Sequence, residues 1–261
     1  LGFHGNVILA HRGMHALGLG RVGTGTGRVI GEGRAVYRPE SWLIQRSWEV
    51  LADAGAAQSA LEVARLAGTR QPAAIIQCLY RLSRKIDQHW GLGAIVAREL
   101  AAMQGALLRG ASTPEPSRHA EQLLFAAATA ANLDERAQAF IFLERLDQLP
   151  QPWDRIMVQP DQRTMLAAAI LRIGPHPLTV SLITHALRRF GDAGAHFVLD
   201  VTTGASERLR RGQPSAKMTR FMNLGVSVFR NASLTSLHSR RLTATVLGQA
   251  GLVNEVLEQL T

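Results

Sequence analysis

The residues of this sequence best suited to a chemical function are basic side chains that have few acidic residues near them in the chain. The chain carries 29 Lys and Arg residues against 20 Asp and Glu, and Lys85 and Lys217 are its only lysines. Arginine binds phosphate through a planar fork of N–H donors and also stacks on bases. The chemistry indicated is therefore phosphate binding, although a GC-rich genome would also favour Arg, Ala and Gly.

The positive charge is unevenly distributed along the chain. Residues 185–241 hold ten basic and three acidic residues, a net of +7, whereas residues 35–150 hold twelve of each. Residues 1–34 hold four arginines and one glutamate. A neutral middle between basic ends predicts local contact with a polyanion. A solvated basic face without a partner is the alternative reading.

Motifs for catalysis or cofactor binding lack the context that they need. The stretch "GLGRVG" at residues 18–23 matches the dinucleotide pattern, but "TGTGRVIGEGRAVYRP" after it cannot begin the required helix. His11 and His15 have metal-ligand spacing only in a helix, which the flanking glycines oppose. Asp134 and Glu135 fall at a predicted helix start, where negative charge favours the dipole. We therefore predict no enzyme activity, no cofactor and no metal site.

The single cysteine and the length of the apolar segments argue against a disulfide-bonded protein and against a membrane-spanning one. Cys78 excludes an internal disulfide, and its setting in "AAIIQCLYRL" predicts a buried thiol that packs in a core. No segment approaches the roughly 20 uninterrupted apolar residues of a membrane span. We predict a chain without such a span.

The elements that must position the basic residues are predicted to be helices. Residues 1–38 hold ten of the 24 glycines, a density that opposes a stable helix, and predict an irregular, basic arm lying on something else. From residue 39, apolar residues recur at spacings of three and four, and Ala and Leu dominate over aromatic and β-branched residues. The predicted domains are a Gly-rich extension, residues 1–38, and an α-helical repeat domain, residues 39–261.

Short breaks, Gly191 among them, divide this helical domain into about a dozen segments of roughly 10 to 20 residues. This pattern predicts helical hairpins stacked side by side. One stretch, "HFVLDVTTG" at residues 196–204, also permits a short strand. Six of the breaks stand 38, 39, 42, 38 and 39 residues apart: Gly55, Gly93, Asn132, Gly174, Gly212 and Gly251.

Three of these breaks share a local pattern. In "LADAGAAQSALEVARL", "AATAANLDERAQAFIFL" and "LGQAGLVNEVLEQL" a small or modest residue (Ala60, Ala137 or Val256) follows the break by five positions. The windows resemble the helical hairpins of pentatricopeptide and octotricopeptide repeats, and tetratricopeptide hairpins share the same pattern. The resemblance implies an all-α, right-handed α-solenoid, with an RNA-containing particle of an organelle as its natural setting.

These observations predict a non-catalytic, RNA-associated component of an organellar ribosome or RNA-processing particle, with neighbouring proteins as further partners. A mitochondrial location is expected, with the chloroplast or cytoplasm as alternatives. The other reading is a helical scaffold subunit that binds protein partners. The predicted RNA contacts are Arg188, Arg189, Arg208, Arg210, Arg211, Lys217, Arg220, Arg230, Arg240, Arg241, Arg12, Arg21 and Arg28.

Overall fold

The described part of the protein is entirely helical. A computed structural model describes residues 41–67, 73–110, 116–211, 216–230 and 237–251. These ranges contain eleven α-helices and no β-strand, which confirms the predicted all-α class. They belong to two compact units, divided between Thr113 and Pro114. The predicted arm, residues 1–38, lies outside the described residues, and the handedness of a solenoid stays a prediction.

The first unit is built from sequential helix packing. Ile76, Leu79 and Leu82 are fully buried at spacings of three, as the sequence predicts for a core face. Val96 and Leu100, on the next helix, are fully buried at a spacing of four. Consecutive helices pack on each other, and the first also packs on the third. The helices are α1 (Ser41–Asp53), α2 (Ala57–Ala67), α3 (Ala73–Ser83) and α4 (Leu92–Arg109).

A hydrogen-bonded reversal joins α1 to α2. The Ala56 N–H donates to the carbonyl oxygen of Leu51, five residues earlier, at 2.9 Å. Gly55 has a φ of 74°, a left-handed conformation that costs glycine little and that ends many helices in this way. Ala60 is fully buried one turn into α2, so the two helices approach closely.

The second unit repeats this reversal between its first two helices. The Glu135 N–H donates to the carbonyl oxygen of Ala130 at 2.9 Å, and Asp134 has a φ of 60°. Ala139, five residues after Asp134, is fully buried. The sequence pattern predicts Ala137 as the close-packed residue after this reversal. Ala137 is exposed, so the prediction is wrong by two residues.

The second unit has seven helices. Helix α5 packs on α6, α7 and α8, and the long α9 packs on α7, α8, α10 and α11. They are α5 (Pro116–Asn132), α6 (Arg136–Asp147), α7 (Pro152–Val158), α8 (Pro160–Ile173), α9 (Pro177–Arg210), α10 (Ala216–Arg230) and α11 (Leu237–Gln249).

Helix α9 consists of two helical segments that meet at Gly191. The backbone there is non-helical, with a φ of 55° and a ψ of −129°. This kink confirms the break that the sequence predicted between two helices. The strand considered for residues 196–204 is wrong, because this stretch is helical and buries Phe197, Val198 and Val201 on one side. Helical packing of that face outweighs the strand propensity of its β-branched residues.

A glycine contact sets how closely α10 approaches α9. A Cβ atom added to Gly225 would collide with Cγ2 of Thr202 and lie 3.5 Å from Cγ1 of Val198. Thr202 is fully buried, and its hydroxyl donates to the carbonyl oxygens of Val198 and Leu199, at 3.0 Å each. A stiff, hydrogen-bonded neighbour cannot move aside easily, so the crossing requires glycine.

Replacing Gly225 with alanine is therefore expected to lower the free energy of unfolding by about 1 to 2 kcal/mol, despite alanine's better helix propensity. Urea unfolding followed by circular dichroism measures the change. Asn223→Ala on the exposed side of the same helix is the matched control and should stabilise slightly. A Gly225→Ala variant at least as stable as this control would contradict the close-contact explanation.

Candidate nucleic-acid interface

The ten basic residues predicted between positions 185 and 241 all lie in the second unit, on or next to its last three helices. Helix α9 and its end carry five of them, Lys217, Arg220 and Arg230 are on α10, and Arg240 and Arg241 are on α11. Arg12, Arg21 and Arg28 lie outside the described residues. The helical framework therefore places the segment's excess charge in one compact unit.

Two predicted residues converge on the carboxyl end of α8. The Arg208 Nη1 donates to the carbonyl oxygen of Leu171 at 3.1 Å. The aliphatic chain of Lys217 lies against Gly174, immediately after α8. Burial, and then the neighbouring Arg172, lower the pKa of the Arg208 guanidinium. Cations stabilise the negative end of a helix dipole, so Arg208 and Lys217 contribute to the fold at this point.

Arg188 and Arg189 line a cavity of about 350 Å³ in the second unit. Both side chains are exposed, and the Arg189 guanidinium lies 5.2 Å from the ring centre of Phe190. They stand in the last turn before the kink at Gly191, where positive charge is favourable next to helix carbonyls. The remaining lining residues are Asp147, Leu178, Ser181, Leu182, His185 and Phe190.

Most of these cations have no acidic partner in the described ranges. Arg211, the residue after α9, is an exception, since it lies 4.0 Å from Glu207 with both side chains exposed. The residues without a carboxylate within 4.0 Å in the described part of the chain are Arg188, Arg189, Arg208, Arg210, Lys217, Arg220 and Arg241.

No protein-family model, curated protein or solved structure matches this chain.

Arginines of the first unit are paired differently. Arg65 lies 2.6 Å from Glu99, and Arg81 lies within 3.4 Å of both Glu49 and Asp53. The pairs Arg46–Glu49, at 3.4 Å, and Arg98–Glu99, at 3.8 Å, complete this set. Because exposed pairs neutralise each other locally, these four paired arginines offer a polyanion less free positive charge than the arginines of the second unit that have no carboxylate within 4.0 Å.

Helix α10 presents a polar stripe to solvent. Arg220, Asn223, Ser227 and Arg230 are exposed at helical spacings of three and four, and the buried face carries Phe221. Phe197 and Phe229 are also buried, so they pack in the core and are not available for base stacking. The stripe therefore offers hydrogen-bond donors to a backbone, without aromatic platforms for bases.

Sequence reasoning missed three polar residues of the second unit. Arg172 belongs to the cation group at the end of α8, while His185 and Asp147 line the Arg188 cavity. Arg172 and Asp147 fall outside the segment that the charge count selected. The spacing of Ser181, His185, Arg188 and Arg189, at four, seven and eight residues, was a usable helical signal for the cavity wall.

The described residues hold no arrangement typical of a metal site. No group of three or more His, Cys, Asp or Glu side chains within them is placed to hold an ion.

Burial raises the pKa of the Cys78 thiol to about 12, so this side chain stays protonated at neutral pH, as its core setting predicts. Within the described ranges, no helix is long and apolar enough to cross a membrane.

Proposed function

We propose that this protein is a non-catalytic RNA-associated component that contacts the RNA backbone through its second unit. The observation that carries the proposal is the set of arginines on α9, α10 and α11 that have no carboxylate within 4.0 Å in the described residues. Unpaired arginines bind phosphate oxygens without losing an existing ion pair. The polar stripe of α10 supports backbone contact rather than base readout.

The setting proposed for this contact is a ribosome or an RNA-processing particle of an organelle, with the mitochondrion preferred. The resemblance of the hairpin windows to pentatricopeptide-type repeats supports it. The reversals at Gly55 and Asp134, which share one hydrogen-bonding pattern, are compatible with repeated helical hairpins. A component of this kind provides fixed positive charge against folded RNA and depends on neighbouring proteins for its place.

Salt dependence tests the proposal directly. Affinity for a structured RNA should fall steeply as salt rises, because each phosphate contact releases counterions. The triple variant R210Q/R220Q/R241Q should bind more weakly and reduce the slope of log affinity against log salt by about 2. Fluorescence anisotropy at several salt concentrations measures both quantities.

A charge-matched variant controls for net charge. R46Q/R98Q/R65Q removes three arginines from the first unit, each of which forms an ion pair there. Its salt slope should stay close to that of the unaltered protein. Equal losses in both triple variants would show non-specific charge attraction, and binding that ignores salt would reject the proposal.

A scaffold that binds proteins is the second candidate, and one side chain favours it. Trp90 in the first unit is completely exposed beside a cavity of about 330 Å³ that His89 and Gln58 also line. Exposed tryptophan is enriched among the residues that dominate protein interfaces. A partner that remains bound at high salt and is lost on Trp90→Ala would favour this function over RNA binding.

A further inference from the structure

The Arg188 cavity is lined by both cationic hydrogen-bond donors and hydrogen-bond acceptors. Ser181, His185, Arg188 and Arg189 form a single stripe along the first segment of α9, and Asp147 comes from the end of α6. Its volume of about 350 Å³ is within the usual range for small-ligand sites. A bare phosphate would use the arginines but would be repelled by the carboxylate of Asp147.

The donors of this wall suit a phosphate group. Arg188 and Arg189 are exposed and have no carboxylate within 4.0 Å in the described part of the chain. The ring of Phe190 lies 5.2 Å from the Arg189 guanidinium and holds it by a cation–π contact. Two guanidinium groups that line the same cavity provide several N–H donors for a phosphate.

The acceptors of the wall suit hydroxyl groups. One carboxylate oxygen of Asp147, Oδ1, accepts the indole N–H of Trp153 at 2.7 Å, so Oδ2 is left for another donor. The Nδ1 atom of His185 lies 2.9 Å from the carbonyl oxygen of Ser181. Because a carbonyl only accepts, Nδ1 carries the proton in the neutral ring, and Nε2 is then an acceptor.

We propose that this cavity binds one ribose-phosphate unit of RNA, with the phosphate on Arg188 and Arg189 and the ribose hydroxyl donating to Asp147. The proposal rests on the RNA-binding function above and adds a reason for preferring RNA to DNA. The 2′-hydroxyl is the group that distinguishes the two backbones at a single position. His185 provides a second acceptor next to the same sugar.

The experiment compares a labelled 12-nucleotide oligouridylate with its 2′-deoxy counterpart by fluorescence anisotropy, at one fixed salt concentration. The unaltered protein should prefer the RNA. Asp147→Asn should weaken RNA binding about tenfold, because the ribose hydroxyl loses a charged acceptor. DNA binding should not weaken, since DNA lacks this hydroxyl and its phosphates are relieved of the repulsion from the carboxylate. Asparagine retains an oxygen for the Trp153 N–H, so the fold is preserved. R188Q/R189Q should weaken RNA and DNA binding by similar factors.

The outcomes separate this proposal from the one it rests on. No salt-sensitive RNA binding by the unaltered protein would reject the proposed function. RNA binding with an RNA-to-DNA ratio unchanged in Asp147→Asn would reject only the cavity. The cavity also fails if R188Q/R189Q behaves like the charge-matched R46Q/R98Q. Calorimetric titration with uridine 5′-monophosphate distinguishes a free-nucleotide site, since tight binding of it without oligonucleotide binding overturns the RNA assignment.

Discussion

Replacing Asp200 with alanine is expected to lower the free energy of unfolding by about 2 to 3 kcal/mol. Asp200 on α9 accepts from Nε of Arg163 on α8 at 3.0 Å and from the hydroxyl of Thr164 at 3.4 Å. The Arg163 side chain is only 12% exposed, and its Nη1 also donates to the carbonyl oxygen of Met157, at 3.3 Å.

The loss is large because the guanidinium would keep its charge in a largely buried place without its carboxylate. Breaking a fully buried pair costs more, but Asp200 is 27% exposed and water can partly replace it. Alanine's helix propensity opposes the loss, so the expected value is a net one. Urea unfolding of the full chain measures it.

Two further variants make the result specific to this pair. Glu207→Ala removes a carboxylate that is 59% exposed and 4.0 Å from Arg211, and should change stability by less than about 0.5 kcal/mol. The double variant R163M/D200L replaces the pair by apolar residues and should recover most of the loss. An Asp200→Ala variant as stable as Glu207→Ala would show that the pair is dispensable.

Helix positions could be predicted from the sequence because the signals were local. Apolar spacing located the helices, and Gly174 and Gly191 were predicted as breaks from their residue type alone. Helix α7 was missed, since seven residues between Pro152 and Val158 are too few for a periodic pattern. The strand suggested at residues 196–204 came from propensity, which packing against α10 and α11 overrides.

The candidate interface was less predictable because it depends on contacts between distant residues. The charge count found the arginines of α9, α10 and α11 as a group. It could not show that Arg208 donates to Leu171, 37 residues earlier, or that Arg211 faces Glu207. Nor could it find Asp147, which lines the Arg188 cavity only because the helices of the second unit pack together.

Trp153 belongs to the buried core and also contacts Asp147, a residue that lines the Arg188 cavity. Its side chain is fully buried at the start of α7, and its indole N–H donates to Asp147 at 2.7 Å. Helix α7 is too short to be stable alone, so its burial against neighbouring helices must hold it in place. Ile156 and Met157 complete this buried face.

Trp153→Ala is therefore expected to lower the free energy of unfolding by about 4 kcal/mol, the cost of a large buried cavity together with the lost hydrogen bond. Thermal and urea unfolding measure it. Val158→Ala on the same helix, at a side chain that is 69% exposed, is the control and should be nearly neutral. A small loss for Trp153→Ala would contradict the buried position of the indole.

Trp153→Phe separates packing from hydrogen bonding. Phenylalanine fills most of the space, so the expected loss is about 1 to 2 kcal/mol and the chain stays folded. It cannot donate to Asp147, whose carboxylate then loses the contact that orients it. If Asp147 binds the ribose hydroxyl, the preference for RNA over DNA should decrease in Trp153→Phe while binding of DNA is retained. A full preference for RNA in this variant would show that the carboxylate needs no support from the indole.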